Sequence, residues 1–142
     1  RDEWFAGLEF LTATGQLCDG KRQEFILLSD TLGLSSLVEM LTHDGIEGST
    51  ENTVLGPFYV PGSPARAKGE AMLVDPDDGD RVVIRGTVRD IDGQPIAGAV
   101  LDCWQNATAG FYAVQQPDEQ SPENLRGVYT TDADGSYEIR TV

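Results

Sequence analysis

The hydrophobic period of this sequence changes once, and that change limits the folds open to it. From Arg1 to about His43 apolar residues recur at helical spacing, with Trp4, Phe5, Leu8 and Leu11 on one face. Asp19-Gly20 interrupts the run. A second apolar patch follows at Phe25 to Leu28, then a third stripe at Leu34, Leu37, Val38 and Leu41. His43 with Gly45 behind it reads as a helix end, a cation-capable side chain in the last turn and a glycine past it. Beyond Arg81 the period falls to two. RVVIRGTVRD and AGAVLDCWQN read as strands joined by a hairpin-type turn at Asp92-Gly93. GVYTT and SYEIRT read as another pair around the acidic turn DADG. Short strands with Gly/Asp turns specify an antiparallel β-sandwich. The expected fold class is α+β, an N-terminal helical segment followed by an antiparallel β-sandwich. The organisation is 1–48 helical, 49–80 connector and 81–142 the first part of the sandwich.

The connector is not an ordinary linker. STENTVLGPFYVPGSPARAKG is punctuated by Gly and Pro, so it is extended. Yet Val54, Leu55, Phe58, Tyr59 and Val60 make it too apolar for a flexible spacer, and it is expected to pack. The last strand runs to Val142 without a turn or polar tail, and the first residue is not Met. The chain is therefore expected to begin and end inside a longer protein, with a truncated sandwich.

Charge narrows the partners. With 10 Lys and Arg against 24 Asp and Glu, the 142 residues carry a formal charge of −14. Nucleic-acid backbones and anionic membrane surfaces call for the opposite sign. No apolar run is long enough for a transmembrane helix, and RDEWFAGLEF lacks the apolar block of a signal peptide. Cys18 and Cys103 stand far apart and read as free thiols of a reducing, cytoplasmic setting. The one histidine, His43, excludes any site needing two histidines from this chain and reads better as a helix-end cap than as a base or ligand.

Several motifs invite chemistry. The acidic run Val74 to Asp80 resembles a calcium loop, but the place that needs the twelfth-position Glu holds Gly86, so a solvated turn is expected. Asp132 to Gly135 fails similarly, with Thr141 in that place. Asp30, after an apolar run and before LGL, has the spacing of a helix N-cap. Tyr112 ends the loop NATAGF behind a strand. Such a tyrosine is commonly a packed amphipathic ring, and alternatively a phenolate ligand, since a ferric ion deprotonates a phenol far below its usual value of about 10.

The stretch from Ile84 to Tyr112 resembles the signature of the intradiol ring-cleavage dioxygenases, non-haem ferric enzymes that open catechol-type rings. Ile84, Gly86, Val88, Gly93, Ile96, Leu101, Asp102, Cys103, Gly110 and Tyr112 fill its fixed places. KRQEFILLSDTLGLSSLVEML is similar to the family's helical dimerisation segment, and TENTVLGPFYVPGSP to its pocket-lining loop. GFYAVQQ and NLRGVYTTDADGSYEIRTV resemble the hydroxyquinol 1,2-dioxygenase branch most, with the catechol 1,2-dioxygenases next.

That resemblance implies an Fe(III) cofactor, a catecholic substrate, dioxygen as co-substrate and a homodimer. It implies cleavage between vicinal hydroxyls to a muconate-type diacid, maleylacetate from hydroxyquinol. It assigns Tyr112 as a metal ligand and places Leu27, Asp30, Val54, Gly56, Pro57 and Phe58 around the substrate. Leu27, Val54, Pro57 and Phe58 form an apolar slot for a flat ring, and Asp30 accepts a hydrogen bond from the third hydroxyl of a trihydroxybenzene. One further Tyr and two His complete the family's iron site, and they are absent from this chain. Alone, it is therefore expected to be catalytically inactive and poorly folded, with open sheet edges. GTVRDIDGQPIAGAVLDCW and YTTDADGSYEIR also resemble the prealbumin-like β-sandwich modules, which are non-catalytic and metal-free.

Overall fold

The computed structural model describes residues 1–142 apart from 21, 43, 44 and 46. The helix end read at His43 lies outside the described residues. The chain divides into two compact units, Arg1–Pro57 and Phe58–Val142.

The first unit holds three helices, α1 (Asp2–Gln16), α2 (Glu24–Thr31) and α3 (Leu34–Thr42). Asp2 and Glu3 lie in the first turn of α1, where carboxylates complement the helix dipole. The chain turns after α1 around Asp19, whose carboxylate accepts from the Arg22 amide at 2.8 Å. Between α2 and α3 the axis bends by 74°. Gly33 makes that bend, at φ +75°, a left-handed conformation that glycine adopts without steric cost. Its amide donates to the Asp30 carbonyl at 3.1 Å. Asp30 is therefore in the last turn of α2, and the expectation that it caps a helix N-terminus is corrected. The residue before α3 is Gly33. Among the described residues no single helix is long and apolar enough to cross a membrane; α2 and α3 meet that measure only together, across their bend.

The second unit contains four strands, β1 (Val82–Thr87), β2 (Val100–Trp104), β3 (Arg126–Thr130) and β4 (Ser136–Thr141). They pair otherwise than the turns suggest. β1 pairs antiparallel with β4, from Val82↔Thr141 to Thr87↔Ser136. β2 pairs with β3, from Val100↔Thr130 to Trp104↔Arg126. The Asp92-Gly93 turn closes one isolated bridge, Arg89↔Pro95, and then sends the chain to the other sheet. The DADG turn likewise carries β3 out of one sheet and β4 into the other. Both expected hairpins are thus corrected to arches between two sheets. Gly135 explains why the second arch is tight. It sits at φ +74°, and a Cβ there would lie 2.6 Å from the Val88 carbonyl oxygen.

Between the sheets lie Met72, Tyr129 and Ile139, with Leu101, Cys103 and Tyr137 packed around them. The connector supplies Met72 and runs parallel along β3 and β4. Arg66 N–H donates to Val128 O at 2.9 Å, Val128 N–H to Pro64 O at 2.8 Å, and Met72 N–H to Arg140 O at 2.9 Å. Of the apolar residues expected to pack, Val54, Phe58, Tyr59 and Val60 are half-buried, whereas Leu55 is exposed. The connector covers the outer edges of β3 and β4, while β1 and β2 have no further ladder partner among the described residues.

Candidate active-site loop

The loop from Gln105 to Leu125 joins β2 to β3 and carries Tyr112. Ala107 N–H donates to Phe111 O at 2.9 Å, closing a tight turn that delivers Tyr112 to the start of a short 3-10 helix, Ala113–Gln115. The Gln115 side chain reaches back, its Oε1 accepting from Tyr112 N–H at 2.9 Å. The Tyr112 ring, partly buried, stacks on Phe58 with centroids 4.6 Å apart and planes 20° from parallel. Stacked aromatic pairs of this kind restrain each other's ring planes.

Phe58 is itself held by its neighbours. The Tyr59 hydroxyl donates to Asp102 Oδ2 at 3.4 Å, and its ring meets Trp104 edge-on at 4.9 Å. The Arg126 guanidinium donates to the carbonyl of Val60 and, at 3.0 Å, to Ser63 Oγ. Asp102 Oδ1 and Arg126 Nε are buried beside these contacts with no partner among the described residues. One arginine and one aspartate on adjacent strands therefore fasten the segment that presents Phe58 to Tyr112.

The acidic run Val74 to Asp80 is tied to the same loop. Asp77 accepts from Thr108 N–H at 3.0 Å, from the Thr108 hydroxyl at 2.5 Å and from Gly79 N–H at 2.8 Å. The Thr108 hydroxyl, the Thr108 amide and the Gly79 amide together hold the Asp77 carboxyl below the usual carboxylate range. A Cβ at Gly79 would collide with the Thr108 hydroxyl, so the close approach requires glycine. Asp75 accepts from Ser121 N–H and from the Ser121 hydroxyl, both at 2.6 Å. The expected solvated turn is therefore a clamp on both arms of the Tyr112 loop. No sequence signal separates it from an ordinary turn, because its partners lie 31 and 46 residues away.

The remaining residues singled out in the sequence fall as follows. Leu27 and Asp30 are on α2, and Val54, Gly56 and Pro57 follow in the extended end of the first unit, with Gly56 at φ +79°. Phe58 opens the second unit. Cys18 and Cys103 are free thiols; burial, and then the Asp102 carboxylate, push the Cys103 thiol upward, away from the reactive thiolate.

Residues 54–142 match the family described as Dioxygenase, and residues 1–50 match the family described as Catechol dioxygenase N terminus. The chain belongs to the intradiol dioxygenase family. Among its relatives are a hydroxyquinol 1,2-dioxygenase of Rhizobium sp. (strain MTP-10005) and a 6-chlorohydroxyquinol 1,2-dioxygenase of Cupriavidus pinatubonensis. The first is 45% identical over 98% of this chain and 47% of its own length. The second is 46% identical over 99% of this chain and 50% of its own. A crystal structure of hydroxyquinol 1,2-dioxygenase from Pseudomonas putida DLL-E4 superposes with a TM-score of 0.88 at 52% identity, covering 100% of this chain and 49% of that one. The chain thus spans about half the length of the dioxygenases it matches. Its helices-then-sheets order is the intradiol dioxygenase arrangement.

The donor chemistry of this dioxygenase chain fits part of a ferric site. A phenolic oxygen is a hard donor suited to Fe(III) once deprotonated, and the half-buried Tyr112 carries one. Among the described residues no group of three or more His, Cys, Asp and Glu converges on a metal position.

Proposed function

We propose that the protein carrying this chain is a non-haem iron(III) intradiol dioxygenase that cleaves hydroxyquinol or catechol between its vicinal hydroxyls. The product is a muconate-type diacid, maleylacetate in the case of hydroxyquinol. The observation that carries the reading is Tyr112. It ends the family signature, and the structure presents it on a loop clamped on both arms and stacked against Phe58. When bound, the ferric ion supplies Lewis-acid and template chemistry that activates a chelated catecholate toward dioxygen.

The chain's own residues bind and orient. Tyr112 gives one anionic oxygen to the metal, and the other ligands, one Tyr and two His, come from outside this chain. Following the family resemblance, Leu27, Val54, Pro57 and Phe58 are the apolar residues assigned to the substrate ring, and Gly56 is assigned with them. Asp30 accepts a hydrogen bond from the third hydroxyl of hydroxyquinol. Residues 1–48 serve as a homodimerisation segment, 49–80 as a pocket-lining connector and 81–142 as the first part of the catalytic sandwich, in a cytoplasmic enzyme. Exposed Leu34, Leu37, Val38 and Leu41 on α3 support the dimer. The 142 residues by themselves, holding one ligand, turn over no catechol.

Two measurements test this. Iron-loaded full-length protein is expected to show a visible tyrosinate-to-iron band and to convert hydroxyquinol with uptake of dioxygen, and Tyr112→Phe is expected to weaken both the band and iron retention. A colourless protein that binds no iron would remove the reading. Asp30→Ala should lower the preference for hydroxyquinol over catechol by about tenfold or more, the effect of removing a charged hydrogen-bond partner. An unchanged ratio would show that Asp30 does not read the third hydroxyl.

A further inference from the structure

Behind Tyr112 lies a run of carboxamides that the ligand assignment does not use. It begins at Asn124, which is buried, with Oδ1 accepting from the backbone amides of Val74 at 3.0 Å and Asp75 at 3.1 Å. Asn124 Nδ2 donates to Gln120 Oε1 at 3.0 Å. Gln120 Nε2 then donates to Gln116 Oε1 at 2.8 Å and to the carbonyl of Phe111 at 3.2 Å. That carbonyl belongs to the peptide that carries Tyr112. It already accepts from Ala107 N–H at 2.9 Å, so both of its acceptor directions are occupied. On its other side, Tyr112 N–H is taken by Gln115. The peptide plane before the tyrosine is thereby fixed at both ends, and with it the direction in which its side chain leaves the backbone.

The root of this run is unusually constrained. Leu125, next to Asn124, is fully buried and sits at φ +55°, where a branched, bulky residue is rarely found. Its amide donates to Met72 O at 3.0 Å, and its carbonyl accepts from Gln105 N–H at 3.1 Å. Strained backbone of this kind persists where its surroundings over-determine it, and it concentrates at functional sites. Here it turns Asn124 back toward the connector while Arg126 enters β3. Three links follow: connector backbone to Asn124, Asn124 to Gln120, and Gln120 to the Phe111 carbonyl. Each partner is an uncharged amide, so the run holds geometry without adding charge near a metal-binding phenol. Partners behind a ligand commonly act in this way, by orienting it.

We propose that Gln120, aligned by Asn124, is a positioning residue that sets the orientation of Tyr112 toward the metal. This rests on the dioxygenase reading above, in which Tyr112 is a ligand. The expected signature is a change in how the tyrosinate meets iron, apart from any change in folding.

The test uses full-length, iron-loaded protein with Gln120→Ala, Gln120→Glu, Glu119→Ala and Tyr112→Phe variants. Gln120→Ala removes the donor to Phe111 at a partly exposed position. Gln120→Glu keeps the acceptor for Asn124 but turns a carboxylate oxygen toward the Phe111 carbonyl. Both are expected to shift the visible tyrosinate band and to lose iron to a chelator about tenfold more readily, the usual scale for a partner behind a ligand. Glu119 touches this run through Gln116 alone, accepting from its Nε2 at 3.1 Å, and Glu119→Ala should leave band and retention at the parent values. Gln120 variants with the parent band and parent retention overturn the proposal. So does a Glu119→Ala variant that shifts as far as Gln120→Ala, since the effect would then come from loosening the turn. A band untouched by Tyr112→Phe overturns the ligand reading itself. A band altered by Tyr112→Phe but unmoved by the Gln120 variants overturns the positioning role alone.

Discussion

In residues 1–57 the one buried side chain among those described is Thr14, whereas residues 58–142 enclose Met72, Leu125, Tyr129 and Ile139. The helical unit leaves Trp4, 68% exposed, Leu41, 75% exposed, and most of its other large apolar residues in contact with solvent. The sheet unit, though β1 and β2 have no further ladder partner among the described residues, ties its long loop down through Asp75, Asp77 and Asn124, and its connector through Arg126. The contrast follows from how each element satisfies its backbone. A helix closes its hydrogen bonds within itself and can form before its apolar stripe is covered. A strand cannot, so the sheet unit is built from residues distant in sequence. Tyr112, the proposed ligand, accordingly lies on the unit whose geometry is set by long-range contacts.

Substitutions should separate the two units. The largest loss is expected at Leu125→Ala, about 2–5 kcal/mol for emptying a fully buried leucine site, measured by denaturant unfolding. A loss under 1 kcal/mol would mean that the surroundings of Leu125 collapse into the vacated space. Arg126→Ala should cost about 1–3 kcal/mol, because the Val60 carbonyl and Ser63 lose a charged donor. It should also loosen the Phe58–Tyr112 stack, which the ring proton shifts of Tyr112 would report. Unchanged shifts would show that the stack holds without the arginine.

Asp77 gives a smaller effect with a definite pH dependence. Its folded-state value lies below the ordinary carboxylate value of about 4, so its contribution is fully present above that value. It is lost as the pH falls through the depressed folded value. Asp77→Asn should therefore flatten the acid limb of a melting-temperature profile and leave the neutral limb parallel to the parent. Equal acid limbs would place the lost protons elsewhere. The smallest effect is expected at Leu41→Ser, within about 0.5 kcal/mol for an exposed position in the 142-residue chain. In full-length protein the same substitution should weaken dimerisation in sedimentation, if α3 is part of the dimer surface. A large loss of stability in the chain alone would show instead that the helical unit depends on that leucine internally.

Much of the architecture was readable from local pattern. The spacing of Trp4, Phe5, Leu8 and Leu11, of Phe25 to Leu28 and of Leu34 to Leu41 falls within α1, α2 and α3, because a helix reports its own periodicity. The four strands lie where the period drops to two, and Tyr112 lies in the loop that follows β2. Pairing was not readable. Asp92-Gly93 and DADG have the composition of hairpin turns, and the same dipeptides serve an arch that sends the next strand to the opposite sheet. The acidic run was equally opaque. Its composition is that of a solvated turn until Thr108 and Ser121 arrive from the far side of the loop.

The sequence by itself determined the order of helices and strands, the extended character of the connector and the family signature ending at Tyr112. Those properties depend on residues a few places apart, where periodicity and turn chemistry act. Only the tertiary structure decided which strands share a sheet, that Asp75 and Asp77 grip the loop, and that Asn124 reaches Phe111 through Gln120. The strand pairs, the Asp75 and Asp77 contacts and the root of the Asn124 run join positions tens of residues apart, and their geometry exists only once the sheets have closed around Tyr129 and Ile139.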